Sequence, residues 1–173
     1  ALTTVLFPVF ASSWKVDSNR VVFLFGRGVI HIFLIMFPIS LLVVTMSYEL
    51  LNFWVGMEFA ANSTRVLQWL AVGVFINRLA HVPFVMLQGI GRPDLPAKLH
   101  LIELPCYLVA LYFVLDIYGI YGAAIMWAIR STLDMIIIYC MALRLVPFDS
   151  LLLWKMSLTL LVALSVLFVS ALL

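Results

Sequence analysis

Charged residues inside long apolar stretches are the feature that most constrains this chain. Arg78, Arg130 and Asp134 each lie within a run long enough to cross a bilayer. A charge near the middle of a spanning helix costs about 2.5–3.5 kcal/mol on insertion scales, so such residues normally face a bundle interior, a cavity or a pathway. The pattern therefore favours a transporter over a passive membrane anchor.

The composition excludes a soluble domain of this size. Of the 173 residues, 66% are hydrophobic and 10% are charged, and the mean hydropathy is +1.21. A spanning helix needs about 20 mostly apolar residues. We therefore predict an all-α transmembrane bundle with about five full spans plus the end of another. The net charge of +2 is dispersed and indicates no nucleic-acid partner.

The predicted spans are separated by short polar loops. They cover residues 21–46, 65–90, 99–115, 119–143 and 151–173, and stretch 1–11 resembles the tail of a further helix. Because the first residues carry no initiator Met and no basic region, they do not indicate a signal peptide, and we interpret the sequence as a fragment. Stretch 47–64, which carries Glu49 and Glu58, is predicted to be the longest loop, with Phe53 and Trp54 at the headgroup level.

The distribution of Lys and Arg predicts the orientation in the membrane. Loops 12–20, 91–98 and 144–150, with the helix ends beside them, carry seven basic residues, whereas the intervening loops carry one, Arg65. Basic residues accumulate in cytoplasmic loops. These three loops are therefore predicted to be cytoplasmic.

The second span carries a polar stripe. At 100° per residue, Asn77, Arg78, His81 and Gln88 fall within about a 100° arc. The functional interpretation is a cationic surface for an anionic substrate headgroup, with Arg78 as the phosphate-binding fork and His81 as its proton-responsive neighbour. The alternative is that the stripe faces another helix and is satisfied there, which is the favoured interpretation for His81.

The fourth span carries Arg130 and Asp134, spaced i, i+4, with Trp127 nearby. Residues at this spacing can neutralise each other within their own helix, and this interpretation is favoured because self-pairing lowers the cost of burial. In the alternative, the pair forms a gate in which Asp134 takes a proton or Arg130 turns to a phosphate, while Trp127 stacks on a sugar ring.

Glu103 lies about one turn inside the third span. A surface pair with Lys98 is favoured, because long side chains reach the nearby polar interface. The alternative is a carboxylate that binds a coupling ion.

Motifs for enzymes and metals are weak. His100 and Glu103 form an H-x-x-E that is too short to be specific, and Cys106 and Cys140 lie in apolar segments without metal-ligand spacing. No catalytic residue, metal or cofactor is predicted.

Three segments resemble a known family. They are Leu6-Phe-Pro-Val-Phe-Ala-Ser12, the turn Gln88-Gly-Ile-Gly-Arg-Pro-Asp-Leu-Pro-Ala-Lys-Leu-His-Leu-Ile-Glu-Leu-Pro105, and Tyr118-Gly-Ile-Tyr-Gly-Ala-Ala124 followed by Arg130. Together they resemble the C-terminal lobe of bacterial polysaccharide flippases, the Wzx-type exporters of the MATE-like superfamily.

This resemblance implies a two-lobed fold in which residues 1–146 are C-terminal-lobe helices, residues 147–173 add a transmembrane helix, and an N-terminal lobe of the same chain is a partner. It also implies a function: a polyprenyl-pyrophosphate-linked repeat unit would cross the bacterial inner membrane through a cationic cavity. Rocking of the lobes would be coupled to a proton or sodium gradient. No family motif assigns Arg78 or Arg130, which are candidates by position alone.

Three other functions remain as alternatives. A MATE-type exporter of drugs or organic cations would favour acidic residues in its cavity, and intramembrane Arg is here as prominent as Asp. An integral-membrane enzyme of envelope assembly would need His or carboxylates clustered at one interface. A membrane scaffold without transport activity would carry charges that are satisfied within the bundle.

Overall fold

The computed structural model is an all-α bundle. It describes residues 8, 10–11, 18–146, 162–167 and 169–171. Four helices make up its continuous part: α1 (Ser18–Thr45), α2 (Ser47–Trp54), α3 (Met57–Gly89) and α4 (Asp94–Leu145). The described residues contain no β-strand, which confirms the predicted fold class. Most of the predicted fifth span and much of loops 12–20 and 144–150 lie outside the described residues.

Helices α1 and α3 pack through aromatic side chains. Phe33 and Phe37 of α1 stack with ring centroids 5.2 Å apart, and Phe75 of α3 meets both edge-on at 6.0 and 6.1 Å. Edge-to-face pairs of this kind add to the free energy gained from burial alone. At the end of α1, the Val44 carbonyl accepts hydrogen bonds from the Ser47 hydroxyl at 3.1 Å and from the side-chain amide of Gln68 at 3.2 Å, which satisfy a carbonyl of the last helical turn.

The predicted long loop 47–64 is wrong. Helix α2 occupies most of it, and α3 begins at Met57 after a break at Gly56, whose φ is +104°. Glu49 and Glu58 suggested a loop, but each lies in the first turn of its helix. A carboxylate in that position is stabilised by the positive end of the helix dipole. Phe53 and Trp54 are 89% and 87% exposed, consistent with the predicted interfacial position.

Helix α4 is two antiparallel arms joined at Gly119. A straight helix of 52 residues would be about 78 Å long, far more than the roughly 30 Å of a bilayer core. Gly119 has non-helical angles of φ 60° and ψ −150°, which only glycine adopts readily. Glu103 contacts Arg130, and His100 contacts Asp134. The residue earlier in the first arm thus pairs with the residue later in the second arm, which shows that the two arms run antiparallel. The predicted loop 116–118 is helical, and the reversal is at Gly119.

Three helices, α1, α3 and α4, are long and apolar enough to cross a membrane. Because α4 has two arms, these helices supply four of the five predicted spans. The remaining predicted span, 151–173, falls mainly outside the described residues. The chain is therefore a multi-pass helical membrane protein. The cytoplasmic side of its loops remains a prediction from charge.

Replacing Gly119 tests whether backbone conformation sets the reversal of α4. A Cβ at Gly119 would meet no atom within 4 Å, so the cost of Gly119→Ala is backbone strain alone, about 1–3 kcal/mol. We expect a lower thermal unfolding midpoint for the purified protein in detergent. The neighbouring variant Ile120→Ala, at a side chain 73% exposed, is the control, and equal midpoints for the two variants would contradict the prediction.

Candidate functional site

A polar cleft lies between α3 and the two arms of α4. Its volume is about 180 Å³, and its lining residues are Asn77, Ala80, His81, Phe84, His100, Arg130, Asp134 and Ile138. Both arms of α4 contribute, so the reversal at Gly119 is what brings the polar side chains together. The cleft therefore collects ionisable groups that are far apart in the sequence.

Arg130 pairs with Glu103 across the two arms. The Arg130 Nε donates a hydrogen bond to Glu103 Oε1 at 3.0 Å, and the guanidinium carbon lies 4.9 Å from the centre of the Tyr107 ring. A cation over an aromatic face is attracted by the ring quadrupole. The favoured sequence interpretations, Arg130 with Asp134 and Glu103 with Lys98, are therefore both wrong. Tertiary packing offers each charge a partner on the opposite arm.

His100 connects the two carboxylates of the cleft. Its Nδ1 lies 3.2 Å from Glu103 Oε2 and 3.7 Å from Asp134 Oδ1. Asp134 is only 8% exposed, and its Oδ1 has no hydrogen-bond partner among the described residues. A buried carboxylate without full pairing is costly. Asp134 is therefore the polar group of the cleft with the strongest need for a further partner.

On the α3 side, His81 and Asn77 face the same cleft. The His81 ring stacks on Phe84 at 5.7 Å with an interplanar angle of 12°, and Phe84 lies 5.9 Å from the His100 ring. Phe84 thus lies between the two imidazoles. Of the predicted polar stripe on α3, His81 and Asn77 reach the cleft.

Arg78 and Trp127 occupy other positions. Arg78 is exposed on α3 and is absent from the cleft lining. Trp127 packs against Gly73, where a Cβ would lie 2.5 Å from two atoms of the indole ring. The structure therefore gives Trp127 a packing contact between α3 and α4, and the roles proposed for both residues in substrate binding remain predictions.

Sequence reasoning missed two members of the site. His100 appeared only in an unspecific H-x-x-E, and Tyr107 was not considered, although it contacts Arg130. The available signal was helical spacing: His100, Glu103 and Tyr107 follow one another at i, i+3 and i+7, which is one face of a helix. What the sequence lacked was the position of the partner arm.

These observations define a class: a multi-pass helical membrane protein with an ionisable cleft in its bundle. Comparison with known proteins adds a relative. The chain is 35% identical over 120 residues to a Shigella flexneri protein named "Putative O-antigen transporter". The match covers 69% of this chain and 29% of that protein's length, and it confirms the resemblance to polysaccharide flippases. No family model and no solved structure matches the chain.

The Glu103–Arg130 pair can be tested by a double-mutant cycle. We expect Glu103→Gln and Arg130→Gln each to lower the free energy of unfolding, because each leaves a partly buried charge without its partner. The double variant should lose less than the sum, with a coupling of about 0.5–3 kcal/mol. Unfolding of the purified protein in detergent measures it.

The matched control cycle uses Arg92 and Asp94, whose ion pair is similar in length at 3.2 Å but about half exposed. Exposed pairs couple by about 0.2–1 kcal/mol. Equal couplings in the two cycles would show that the interior pair contributes no more than a surface pair.

The contact between Gly73 and Trp127 gives a second prediction. Gly73→Ala should destabilise the protein by about 1–3 kcal/mol, because it overpacks the space held by the indole ring. Combining it with Trp127→Leu should recover part of that loss, since the smaller side chain makes room. The measurement is the unfolding midpoint of each variant. Val74→Ala, at an exposed neighbour, is the control, and an additive double variant would contradict the contact.

Proposed function

We propose that this chain forms part of a membrane transporter that moves a lipid-linked oligosaccharide, carried on polyprenyl pyrophosphate, across the bacterial cytoplasmic membrane for polysaccharide synthesis. The observation that carries the proposal is its 35% identity to the Shigella flexneri relative over 120 residues. The match takes in 29% of that relative, so the activity of a whole protein is proposed here from one part.

The cleft lies at a depth that suits a headgroup. Along α3, His81 is eight residues before Gly89, or about 12 Å, and along α4, His100 is six residues after Asp94, or about 9 Å. Both distances are less than half of a bilayer core of about 30 Å. With the helix ends at Gly89 and Asp94 at the membrane surface, His81 and His100 would lie in the half of the membrane next to the turn predicted to be cytoplasmic. A pyrophosphate could enter there while its lipid tail stays in the bilayer.

Arg130 is the residue of this cleft best suited to an anionic headgroup. Its guanidinium uses Nε for Glu103, and a guanidinium carries five N–H donors in all. Planar paired donors match phosphate oxygens. His81 and His100 flank the same space and add donors. Asp134 and Glu103 are proposed to work as the coupling and gating carboxylates, because both contact His100.

A second candidate function is export of an organic cation. The observation that favours it is the buried Oδ1 of Asp134, which lacks a hydrogen-bond partner in the described part of the chain. Two carboxylates against one guanidinium leave the cluster negatively charged when both imidazoles are neutral. An organic cation would neutralise that charge directly. The two candidates predict different losses when the carboxylates and the arginine are replaced separately.

The test is complementation by the full-length protein in a bacterial strain that lacks its own flippase. We expect Arg130→Gln to lower surface polysaccharide by about tenfold or more, since a hydrogen bond to a charged group is worth about 1.5–3 kcal/mol. Arg130→Lys should retain part of the activity, because lysine keeps the positive charge but lacks the paired N–H donors of the guanidinium group. The amount of each variant in the membrane is measured alongside.

Arg78→Gln and Arg78→Lys are the matched comparison, since Arg78 also lies within a spanning helix but is exposed on α3, outside the cleft. Loss at Arg130 alone would locate headgroup binding in the cleft, whereas loss at Arg78 alone would move it to the exposed face of α3. Full polysaccharide in every variant would refute the headgroup site and favour a scaffold. Lost resistance to cationic drugs in Asp134→Asn, with polysaccharide unchanged, would favour the exporter.

A further inference from the structure

The charges of the cleft do not balance for an anionic ligand. Arg130 is already paired with Glu103 at 3.0 Å, which leaves Asp134 as an excess negative charge within contact distance of His100. A phosphate group entering this space would meet a carboxylate that is 8% exposed and incompletely paired. Like charges at short range repel strongly in a low-dielectric interior. A cation or a proton bound at Asp134 would remove this repulsion.

The donor atoms around Asp134 are arranged to hold such a charge. His100 Nδ1, a carboxylate oxygen of Glu103 and a carboxylate oxygen of Asp134 all lie within 4.8 Å of one another. In a tetrahedral zinc site with bonds of about 2.0–2.2 Å, ligand atoms are about 3.3–3.6 Å apart. The two separations from His100 Nδ1, 3.2 and 3.7 Å, bracket that range. The two carboxylate oxygens lie no more than 4.8 Å apart, so small side-chain adjustments would bring all three ligand atoms around one ion.

The surrounding groups fix the ligands in place. Arg130 binds Glu103 through Oε1, while Oε2 forms a hydrogen bond with His100. An ion bound between Oε2 and the His100 Nδ1 would replace that hydrogen bond and leave the contact with Arg130 intact. Supporting hydrogen bonds of this type orient metal ligands. The His100 ring is packed beside Phe84, and it offers the Nδ1 lone pair when its proton is on Nε2. Three protein ligands leave a fourth position for a ligand from the cleft.

The chemistry of the donor set selects the ion. An imidazole nitrogen favours Zn²⁺ and other first-row divalent ions, whereas sodium, magnesium and calcium prefer sites made of oxygen alone. We propose that His100, Glu103 and Asp134 form a divalent transition-metal site, suited to Zn²⁺, whose fourth position faces the cleft. This metal site extends the proposed function. The identity of its fourth ligand, a phosphate oxygen of the headgroup, rests on that function.

Binding of Zn²⁺ alone to the full-length protein tests this site. The purified protein, freed of affinity tags and treated with a chelator, is titrated with Zn²⁺ in detergent by calorimetry, without lipid or glycan. We expect one site in the wild type and at least a tenfold weaker affinity in His100→Gln and in Asp134→Asn. Substitution with Co²⁺ in the wild type gives a second readout, since its visible absorption distinguishes four-coordinate from six-coordinate sites.

Two matched controls remove the same chemical groups elsewhere. His31→Gln, on α1, and Asp116→Asn, at an exposed position of α4, should leave the affinity for Zn²⁺ unchanged. Absence of Zn²⁺ binding in the wild type, an affinity unaltered in His100→Gln and Asp134→Asn, or a six-coordinate Co²⁺ spectrum would overturn the site. Because no lipid-linked substrate is present, these results are independent of the complementation test, and either proposal can fail while the other stands.

Discussion

The pairing of Glu103 with Arg130 is the interaction on which the cleft depends. In a bilayer neither charge has water as an alternative partner, so each needs a counter-charge inside the bundle. Their 3.0 Å contact fixes the register of the two arms of α4 and thereby sets His100 against Asp134. A shift of one turn would separate both pairs. The polar site is thus a consequence of satisfying two charges that the membrane makes costly.

The same arrangement explains why the cleft suits a function as well as stability. If packing were its only role, every carboxylate would have a full set of partners, as Glu103 has with Arg130 and His100. Asp134 does not, although it is nearly fully buried. Asp134 lies 3.7 Å from His100 in a cleft that also holds Arg130 and His81, so it borders the space proposed for the headgroup, the competing organic cation and the metal ion. The organic cation or the metal ion would neutralise the charge of Asp134, and the metal ion would in turn bind the anionic headgroup.

The predictions failed where long-range contacts decide. The pairing of Arg130 with Asp134 was predicted from their i, i+4 spacing alone. In the structure Arg130 instead pairs with Glu103 on the opposite arm of α4. The predicted loop 47–64 failed because Glu49 and Glu58 suggested loop polarity, yet both suit the first turns of helices. Stacking of Trp127 on a sugar, the alternative interpretation for the fourth span, stays a prediction, and the structure shows a packing contact between Trp127 and Gly73. The residue types correctly indicated that these side chains need polar or packing partners. The local sequence did not show which residue that partner is.

The sequence by itself determined the class of protein: apolar runs of spanning length set the all-α membrane bundle, and the motif around Gln88–Pro105 indicated the flippase resemblance that the Shigella relative confirms. These properties are local, because the bilayer requires about 20 apolar residues in succession. Only the tertiary structure decided which charges pair and which side chains share the cleft. The physical reason is that one glycine, at positive φ, turns α4 back on itself and brings together residues far apart in sequence.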